Sequence, residues 1–469
     1  MSSTQTVDSP VLTAELLAHM DTPGPRYTSY PTADRFAEGF GPTQAMEALS
    51  LRARDARAGA SAPLSVYVHV PFCESLCYYC ACNKVITKHH ERAGEYLDAV
   101  EQEIGLIADT LGLTQEVSQL HFGGGTPTFL SDAELTRLMA TLRQRFPLAD
   151  DAEIAIEVDP RTVDEVRLTH LAALGFNRLS FGVQDFEPSV QKAVHRVQPE
   201  AQVQALMASA RRIGFESINI DLIYGLPLQT AASMASTVHK VAALRPDRVA
   251  LYSYAHLPQR FKPQRRIDAA QLPRPGARIE MLSVAIAGFI GHGYSYIGMD
   301  HFALPDDSLA VAKREGRLHR NFQGYSTRPD CDLIALGVSA ISRVGNTYSQ
   351  NAKTLPEYYD ALRQGRLPVV RGLALSPDDV IRRAVIMALM CQGRVDFKTI
   401  ESAHAIVMAT YFRSEFAALQ PLVDAGFVIC NADSIQLTAT GWYFVRAVAM
   451  VFDKYVNASA TRERFSRVI

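Results

Sequence analysis

The chain has almost no surplus of charge of either sign. Lys and Arg number 47 against 49 Asp and Glu in 469 residues, so it lacks the basic excess of a nucleic-acid footprint and no nucleic-acid partner is expected. It also lacks an apolar run that reads as a membrane span. The stretch Met281 to Met299 carries no formal charge, but Gly291-His292-Gly293 breaks it and the remainder alternates, which predicts a helix end followed by a strand. Met1 to Met20 contains Asp8 and Glu15 and has no basic start leading into an apolar run, so no secretory signal is expected and the expected location is the cytoplasm. Cysteine is scarce as well. Seven cysteines, an odd number without a leader, argue against a disulfide framework.

Four of those cysteines are clustered: Cys73, Cys77, Cys80 and Cys82. The first three have the C-x3-C-x2-C spacing that lets one loop present three thiolates to a cubane iron–sulfur cluster while the fourth iron keeps no protein ligand. A structural zinc site is the bland alternative, but such sites usually pair C-x2-4-C with a distant second pair. Cys82 is then left over and its role is open, since a fourth ligand would block the open iron. Cys331, Cys391 and Cys430 lie far apart and are expected to be ordinary buried residues.

From Ser65 to about Ala303 a short apolar strand, a turn and an amphipathic helix recur. Strands are predicted at Val66 to Pro71, Gln119 to Phe122, Glu153 to Val158, Arg178 to Val183, Ser217 to Ile223 and Arg248 to Tyr254. Helices are predicted at Glu95 to Thr110, Asp132 to Phe146, Thr162 to Leu174, Ala201 to Ile213 and Thr230 to Ala243. Near-continuous apolar strands suit a parallel sheet covered by helices. Periodicity alone leaves a doubly wound sheet and a barrel both open. After Leu355 helices dominate, including Asp378 to Met390, with a hairpin around Asn431-Ala432-Asp433 that suggests a small winged-helix-like domain closing over the barrel. The expected division is an N-terminal arm with helices at 1–64, a barrel with its extension at 65–354, and a C-terminal helical domain at 355–469.

The unusual residues fall at strand ends, where ligands gather in either architecture. Gly123-Gly124-Gly125-Thr126-Pro127 follows strand two and reads either as a tight turn or as backbone exposed to a close ligand such as an amino-acid head group. Glu157 and Asp221 interrupt apolar strands, where an unpaired carboxylate is costly. They need partners, and ligand hydroxyls would serve. Arg196 offers a fork that matches a carboxylate, or a salt bridge within the fold. Tyr67 and Tyr79 flank the cysteine loop, and Tyr79 either packs it or lies against an adenine ring. In the arm, Arg26-Tyr27-Thr28-Ser29-Tyr30-Pro31 is dense in polar aromatics, with Arg26 and Tyr30 the candidates for contact with an acidic substrate.

Together these residues resemble the radical S-adenosylmethionine superfamily and, within it, the oxygen-independent coproporphyrinogen III oxidases, also called coproporphyrinogen III dehydrogenases. The resemblance runs from Pro25 to Ala33 through Cys73 to Lys84, His121 to Thr128, Asp221 to Pro227, Gly298 to Phe302 and His319 to Tyr325, and ends at Phe465 to Ile469. It implies an α/β fold, a partial (β/α)6 TIM-like barrel with an N-terminal arm and a mainly helical, winged-helix-like C-terminal domain. It implies one [4Fe-4S] cluster on Cys73, Cys77 and Cys80, with Cys82 a subgroup cysteine of unknown role. Two S-adenosyl-L-methionine molecules are implied, held by Tyr67, Tyr79, Gly124, Gly125, Thr126 and Glu157, and by Gln184, Arg196, Asp221, Ala255, Gln323 and Ile341. Tyr79 departs from the Phe expected there but keeps the aromatic face.

The implied reaction is the anaerobic oxidative decarboxylation of coproporphyrinogen III to protoporphyrinogen IX in haem biosynthesis. A 5′-deoxyadenosyl radical takes a propionate β-hydrogen, and loss of carbon dioxide and one further electron leaves a vinyl group. A low-potential electron donor such as a flavodoxin-type protein is implied as partner, and the expected state is a monomer. Two rivals share the superfamily: a haem-binding chaperone, whose members generally lack the Cys82-type residue and the Arg26 to Pro31 arm, and a radical methyltransferase or cyclopropanase.

Overall fold

In the computed structural model, which describes residues 23–59, 63–112, 116–328 and 331–457, six strands pair in parallel and in chain order. They are β1 (Leu64–Val70), β2 (Val117–Gly124), β3 (Leu148–Val158), β4 (Arg178–Gln184), β5 (Ser217–Tyr224) and β6 (Arg248–Ser253). Each matches a predicted strand to within a few residues, β3 beginning earliest. The crossovers are made by helices α2 (Arg92–Leu111), α3 (Asp132–Arg145), α4 (Glu165–Ala173), α5 (Glu200–Ile213) and α6 (Ala231–Leu244), after α1 (Pro42–Arg57) in the arm region. Local chemistry sets their ends. Ser131 caps α3 in a reciprocal box with Glu134, and Gly214, at φ 101°, stops α5 in the left-handed conformation that glycine adopts without strain. Met281 to Met299 is, as expected, the end of helix α7 (Pro275–Gly291) followed by β7 (Ser295–Gly298).

The sheet extends beyond the six strands at both edges. β7 and β8 (His301–Ala303) add antiparallel strands outside β6. On the other side β11 (Asp332–Leu336) lies parallel to β1, and β12 (Ile341–Val344), β13 (Thr347–Asn351) and β14 (Val369–Ala374) follow antiparallel. The result is a twelve-stranded sheet. A ribbon of β9 (His319–Asn321) and β10 (Gly324–Ser326) crosses its concave face, because residues of β2 to β6 and of this ribbon line one common cavity. An open, partial barrel is therefore the observed form.

The C-terminal part holds helix α9 (Pro377–Gln392), further helices at Phe397–His404 and Arg413–Asp424, and a three-stranded sheet of β15 (Arg394–Asp396), β16 (Val428–Cys430) and β17 (Ser434–Leu437). The predicted hairpin is the β16–β17 pair. Cys331 and Cys391 are buried as expected, but Cys430 is exposed. It lies near the hairpin turn on β16, a three-residue strand of which only Val428 is buried. The composition change at Leu355 does not coincide with the change of core. Leu355, Tyr358 and Leu362 of helix α8 (Leu355–Arg363) and Val369 of β14 pack beneath the large sheet, whereas the second core begins at Ile381. That second core also takes in Tyr27 and Tyr30 of the arm and Ile297, Leu318 and Tyr325 of the barrel side. Met1 to Met20 and the Phe465 to Ile469 stretch lie outside the described residues. Among those described, no helix is long and apolar enough to cross a membrane.

One buried acid ties the edge extension to the barrel. Glu103 of α2 accepts hydrogen bonds from the Gly337 amide at 2.8 Å, from Asn351 Nδ2 at 2.6 Å and from the Tyr358 hydroxyl at 2.6 Å. Burial pushes its carboxyl up to about 7. Its pKa is thus higher in the folded chain, so the stability it contributes is greatest below about 4.5 and is lost as pH rises through about 7. Glu103→Ala leaves three buried donors unpaired at about 1–3 kcal/mol each. Urea unfolding is expected to show a loss of roughly 3 kcal/mol or more, larger at pH 5 than at pH 8.

Candidate active site

Side chains alternate along a strand, and here the alternation separates two environments. On β1, Leu64, Val66, Val68 and Val70 are at most 1% exposed and pack in the main core, while Tyr67 and His69 face the concave side. Register carries that face across the sheet. Tyr67 stands beside His121, Glu157 beside Ser180, Ser180 beside Asn219, and Gly182 beside Asp221. The strands that read as nearly apolar thus present a polar interior, and two open-mouthed cavities lie within it.

The smaller cavity holds the cysteine loop. Its base is pinned where Phe72–Cys73 pairs with Val85–Ile86, and its crown docks on the segment after the Pro188–Ala193 helix. Tyr78 N–H donates to Val194 O at 3.0 Å, and the Tyr78 ring stacks on His195 at 5.0 Å. Cys73, Cys77 and Cys80 all line this cavity, together with Tyr79, Gly124, Gly125, Thr126, Glu157, Gln184, Arg196 and Asp221. Cys82 lines it too, from a solvent-exposed position.

The sulfurs sit among donors. Arg196 Nη1 reaches Cys77 Sγ at 3.4 Å, Arg161 Nη2 reaches it at 3.6 Å, and Thr126 Oγ1 donates to Cys73 Sγ at 3.4 Å. Burial pushes the Cys73 thiol up to about 11, whereas a hydrogen bond from Cys82 outweighs burial at Cys80 and, with Lys84, pulls it down to about 6. Cys82 is pushed up by the same contact. Among the described residues no three His, Cys, Asp or Glu side chains converge tightly enough to enclose a single metal ion. Cys73, Cys77 and Cys80 line one cavity with no disulfide among them, and thiols are the donor type that iron–sulfur clusters take.

The glycine run is explained by what surrounds it. A Cβ on Gly123 would lie 2.8 Å from Glu157 Oε1, one on Gly124 2.6 Å from the His69 ring, and one on Gly125 2.6 Å from Pro71 O. Close approach of the start of the cysteine loop demands glycine at 125, while Gly123 makes room for Glu157 and Gly124, at φ 114°, for His69. The amides are also spent: Gly124 N–H donates to Glu157 Oε2 at 3.2 Å, Gly125 N–H to Val70 O and Thr126 N–H to Phe72 O, both at 2.8 Å.

The acids have partners within the protein. Burial raises Glu157, but His121 Nε2 at 3.3 Å and the Gly124 amide hold its carboxylate below the usual range. Asp221 is pushed up to about 6 by burial and by the Glu157 charge, against hydrogen bonds from Ser180 Oγ at 2.9 Å and Asn219 Nδ2 at 2.8 Å. For Arg196 the salt bridge within the fold is what the structure contains: Nη1 meets Asp159 Oδ2 at 3.1 Å.

Four of the predicted contacts are not on the cysteine cavity. Tyr67 stacks on His121 at 5.8 Å with its hydroxyl 3.3 Å from His69 Nδ1. Gln323 lines the larger cavity with His121, Glu157, Asp221, Tyr252 and His301. The Ala255 carbonyl accepts from Gln264 Nε2 at 3.1 Å. Ile341 begins β12, paired with Gln350, and lines neither cavity. In the arm, Arg26 pairs with Asp300 and stands over the Tyr252 ring of the larger cavity. Tyr30 is fully buried in the second core beside Tyr455 and lines neither cavity. Sequence reasoning did not single out His69, Lys84, Arg161, Tyr252 or His301; alternation from Tyr67 would have flagged His69, and proximity to Asp159 would have flagged Arg161.

Residues 67–241 match the Radical SAM superfamily and residues 375–444 the HemN C-terminal domain. The oxygen-independent coproporphyrinogen III oxidase of Pseudomonas aeruginosa is 49% identical over 97% of this chain and 98% of its own length, and that of Escherichia coli 50% identical over 95% and 96%. The solved structure described as coproporphyrinogen III oxidase (HemN) from Escherichia coli, a radical SAM enzyme, superposes with a TM-score of 0.88, covering 92% of this chain and 97% of that one. The chain therefore belongs to the oxygen-independent coproporphyrinogen III oxidase family of radical S-adenosylmethionine enzymes.

Proposed function

We propose that this chain oxidatively decarboxylates coproporphyrinogen III to protoporphyrinogen IX, with Cys73, Cys77 and Cys80 holding one [4Fe-4S] cluster and Cys82 standing outside the ligand set. The observation that carries the reading is one pinned loop offering three thiols to a cavity whose opposite wall is polar and continuous with the barrel interior. When bound, the cluster and S-adenosylmethionine supply hydrogen-atom abstraction. The remaining work belongs to the chain.

Arg161, Arg196 and Thr126 direct N–H and O–H groups at the sulfurs, a contact that stabilises thiolate charge and tunes the cluster potential. Glu157, held ionised, and Asp221, titrating at about 6, offer acceptors to hydroxyls. With the amides of Gly124 to Thr126 already spent, carbonyl oxygens are what the glycine turn has left for an ammonium group. Tyr79, Gln184 and Arg196 line the same cavity, and with Tyr67 they are assigned to the first S-adenosylmethionine. Gln323, Ala255 and Ile341 lie off that cavity and are assigned to a second. Arg26, over Tyr252 at the larger cavity, faces the substrate. A flavodoxin-type electron donor, a monomeric state and a cytoplasmic location complete the proposal.

Anaerobic incubation with coproporphyrinogen III, S-adenosylmethionine and a reductant is expected to release carbon dioxide and form the divinyl product. A fully loaded enzyme that forms none would overturn the reading, and methylated product would favour a methyltransferase. Cys73→Ser, Cys77→Ser and Cys80→Ser are each expected to lose cluster iron and sulfide, while Cys82→Ser retains them; iron and sulfide analysis of the reconstituted variants checks both. Gly125→Ala drives a methyl group into the Pro71–Phe72 backbone. Its cluster content is expected to fall by at least about half, since backbone, unlike a flexible side chain, yields little; wild-type content would contradict the packing argument.

A further inference from the structure

Buried charge is distributed unevenly where the arm meets the β9–β10 ribbon. Arg320 on β9 is 5% exposed, and its Nε and Nη1 have no hydrogen-bond partner among the described residues. Its guanidinium lies 4.6 Å over the ring of Tyr325, its register partner on β10. Tyr252, His301 and Tyr325, which line the larger cavity, all feel its charge, and so does Arg26. Arg26 already has a carboxylate, Asp300. Arg446, the third guanidinium of the group, donates to the carbonyls of Gly24 and Pro25. No ion pair joins Arg320 to a carboxylate among the described residues.

A buried cation left without a counter-ion is strongly unfavourable. Arg also presents a planar fork matched to carboxylate, which Lys does not. The Tyr325 face orients that fork without using its N–H groups. Tyr325, on whose ring the guanidinium lies, is a wall of the larger cavity, although Arg320 itself is not among its lining residues; that cavity is the one that the functional reading assigns to a substrate bearing several propionates. We infer that Arg320 clamps one propionate carboxylate of the substrate and so sets its orientation, a role that rests on the porphyrinogen reading above. Arg26 is the weaker candidate for this role because Asp300 occupies it.

The test is anaerobic ultrafiltration of reconstituted holoenzyme with coproporphyrinogen III, the bound fraction being read after oxidation to the fluorescent porphyrin. Arg320→Gln is expected to raise Kd by roughly 10- to 100-fold, as loss of a charge-assisted bidentate contact does, and Arg320→Lys by less. Cluster iron should stay at the wild-type value, Tm should not fall, because an unpaired buried cation is removed, and KM should rise more than kcat falls. A porphyrinogen with methyl esters in place of the propionates should bind wild type and Arg320→Gln equally weakly. If Arg320→Gln fails to fold, Arg320→Lys carries the test, and an unchanged Kd in that variant overturns the inference. A Kd for Arg320→Gln within twofold of wild type overturns it too, as does an equal weakening of acid and ester. Wild-type holoenzyme that binds no coproporphyrinogen III would overturn the functional reading itself, which separates the two failures.

Discussion

Six parallel strands send every second side chain to the concave face, and the residues that land there are polar: Tyr67, His121, Glu157, Ser180, Asn219 and Asp221. Such a face cannot close on itself as a hydrophobic core, since each carboxylate and imidazole taken from water needs a partner. The helices are confined to the other face, where Val66, Val68, Ile156, Phe181, Ile220 and Leu222 supply the apolar area. The interior is left as an open, hydrogen-bonded space whose shape the sheet holds fixed. The cysteine loop, the glycine turn and the β9–β10 ribbon are arranged around that space.

The arrangement at the strand ends is one of mutual support. Glu157 fills the volume that a side chain on Gly123 would need, His69 that of Gly124, and the Pro71–Phe72 backbone that of Gly125. Three separate close approaches therefore account for three consecutive glycines, and the one at Gly125 is where the cysteine loop is seated. Arg196 belongs to the same unit, spanning Asp159 and Cys77. Its charge is bound into the scaffold that carries the thiols.

Much of this was legible in the sequence because apolar runs bounded by turn residues mark parallel strands well, and all six central strands were found that way. The C-x3-C-x2-C spacing likewise survives translation into structure, since a short loop keeps its residues together. What escaped has physical causes. Strands such as Ile341–Val344 and Thr347–Asn351 are short, partly polar edge additions whose pairing is decided by β1, far away in sequence. The placement of α8 under the large sheet depends on Glu103, some 250 residues earlier by count. Tyr30 shares an arm with Arg26, yet packing against Tyr455 takes it into a core. Cys430, apolar by type, is exposed because the strand that carries it buries only Val428. Sequence pattern reports local periodicity, and these outcomes are set by contacts that periodicity does not contain.

The second core joins three regions distant in the chain. Tyr27 donates to Asp453 at 2.9 Å, Tyr325 to the Met390 carbonyl at 2.9 Å, and Gln392 Nε2 to the Leu318 carbonyl at 2.7 Å. At the same seam lies Trp442, the one tryptophan in the sequence. Its indole N–H donates to the Ile297 carbonyl at 2.9 Å, and the Lys313 ammonium sits 4.3 Å from its ring. Indole emission from the native protein therefore comes from a single place, the joint between the C-terminal part and β7. The molecule carries a built-in optical gauge of whether that joint is seated, readable without a label.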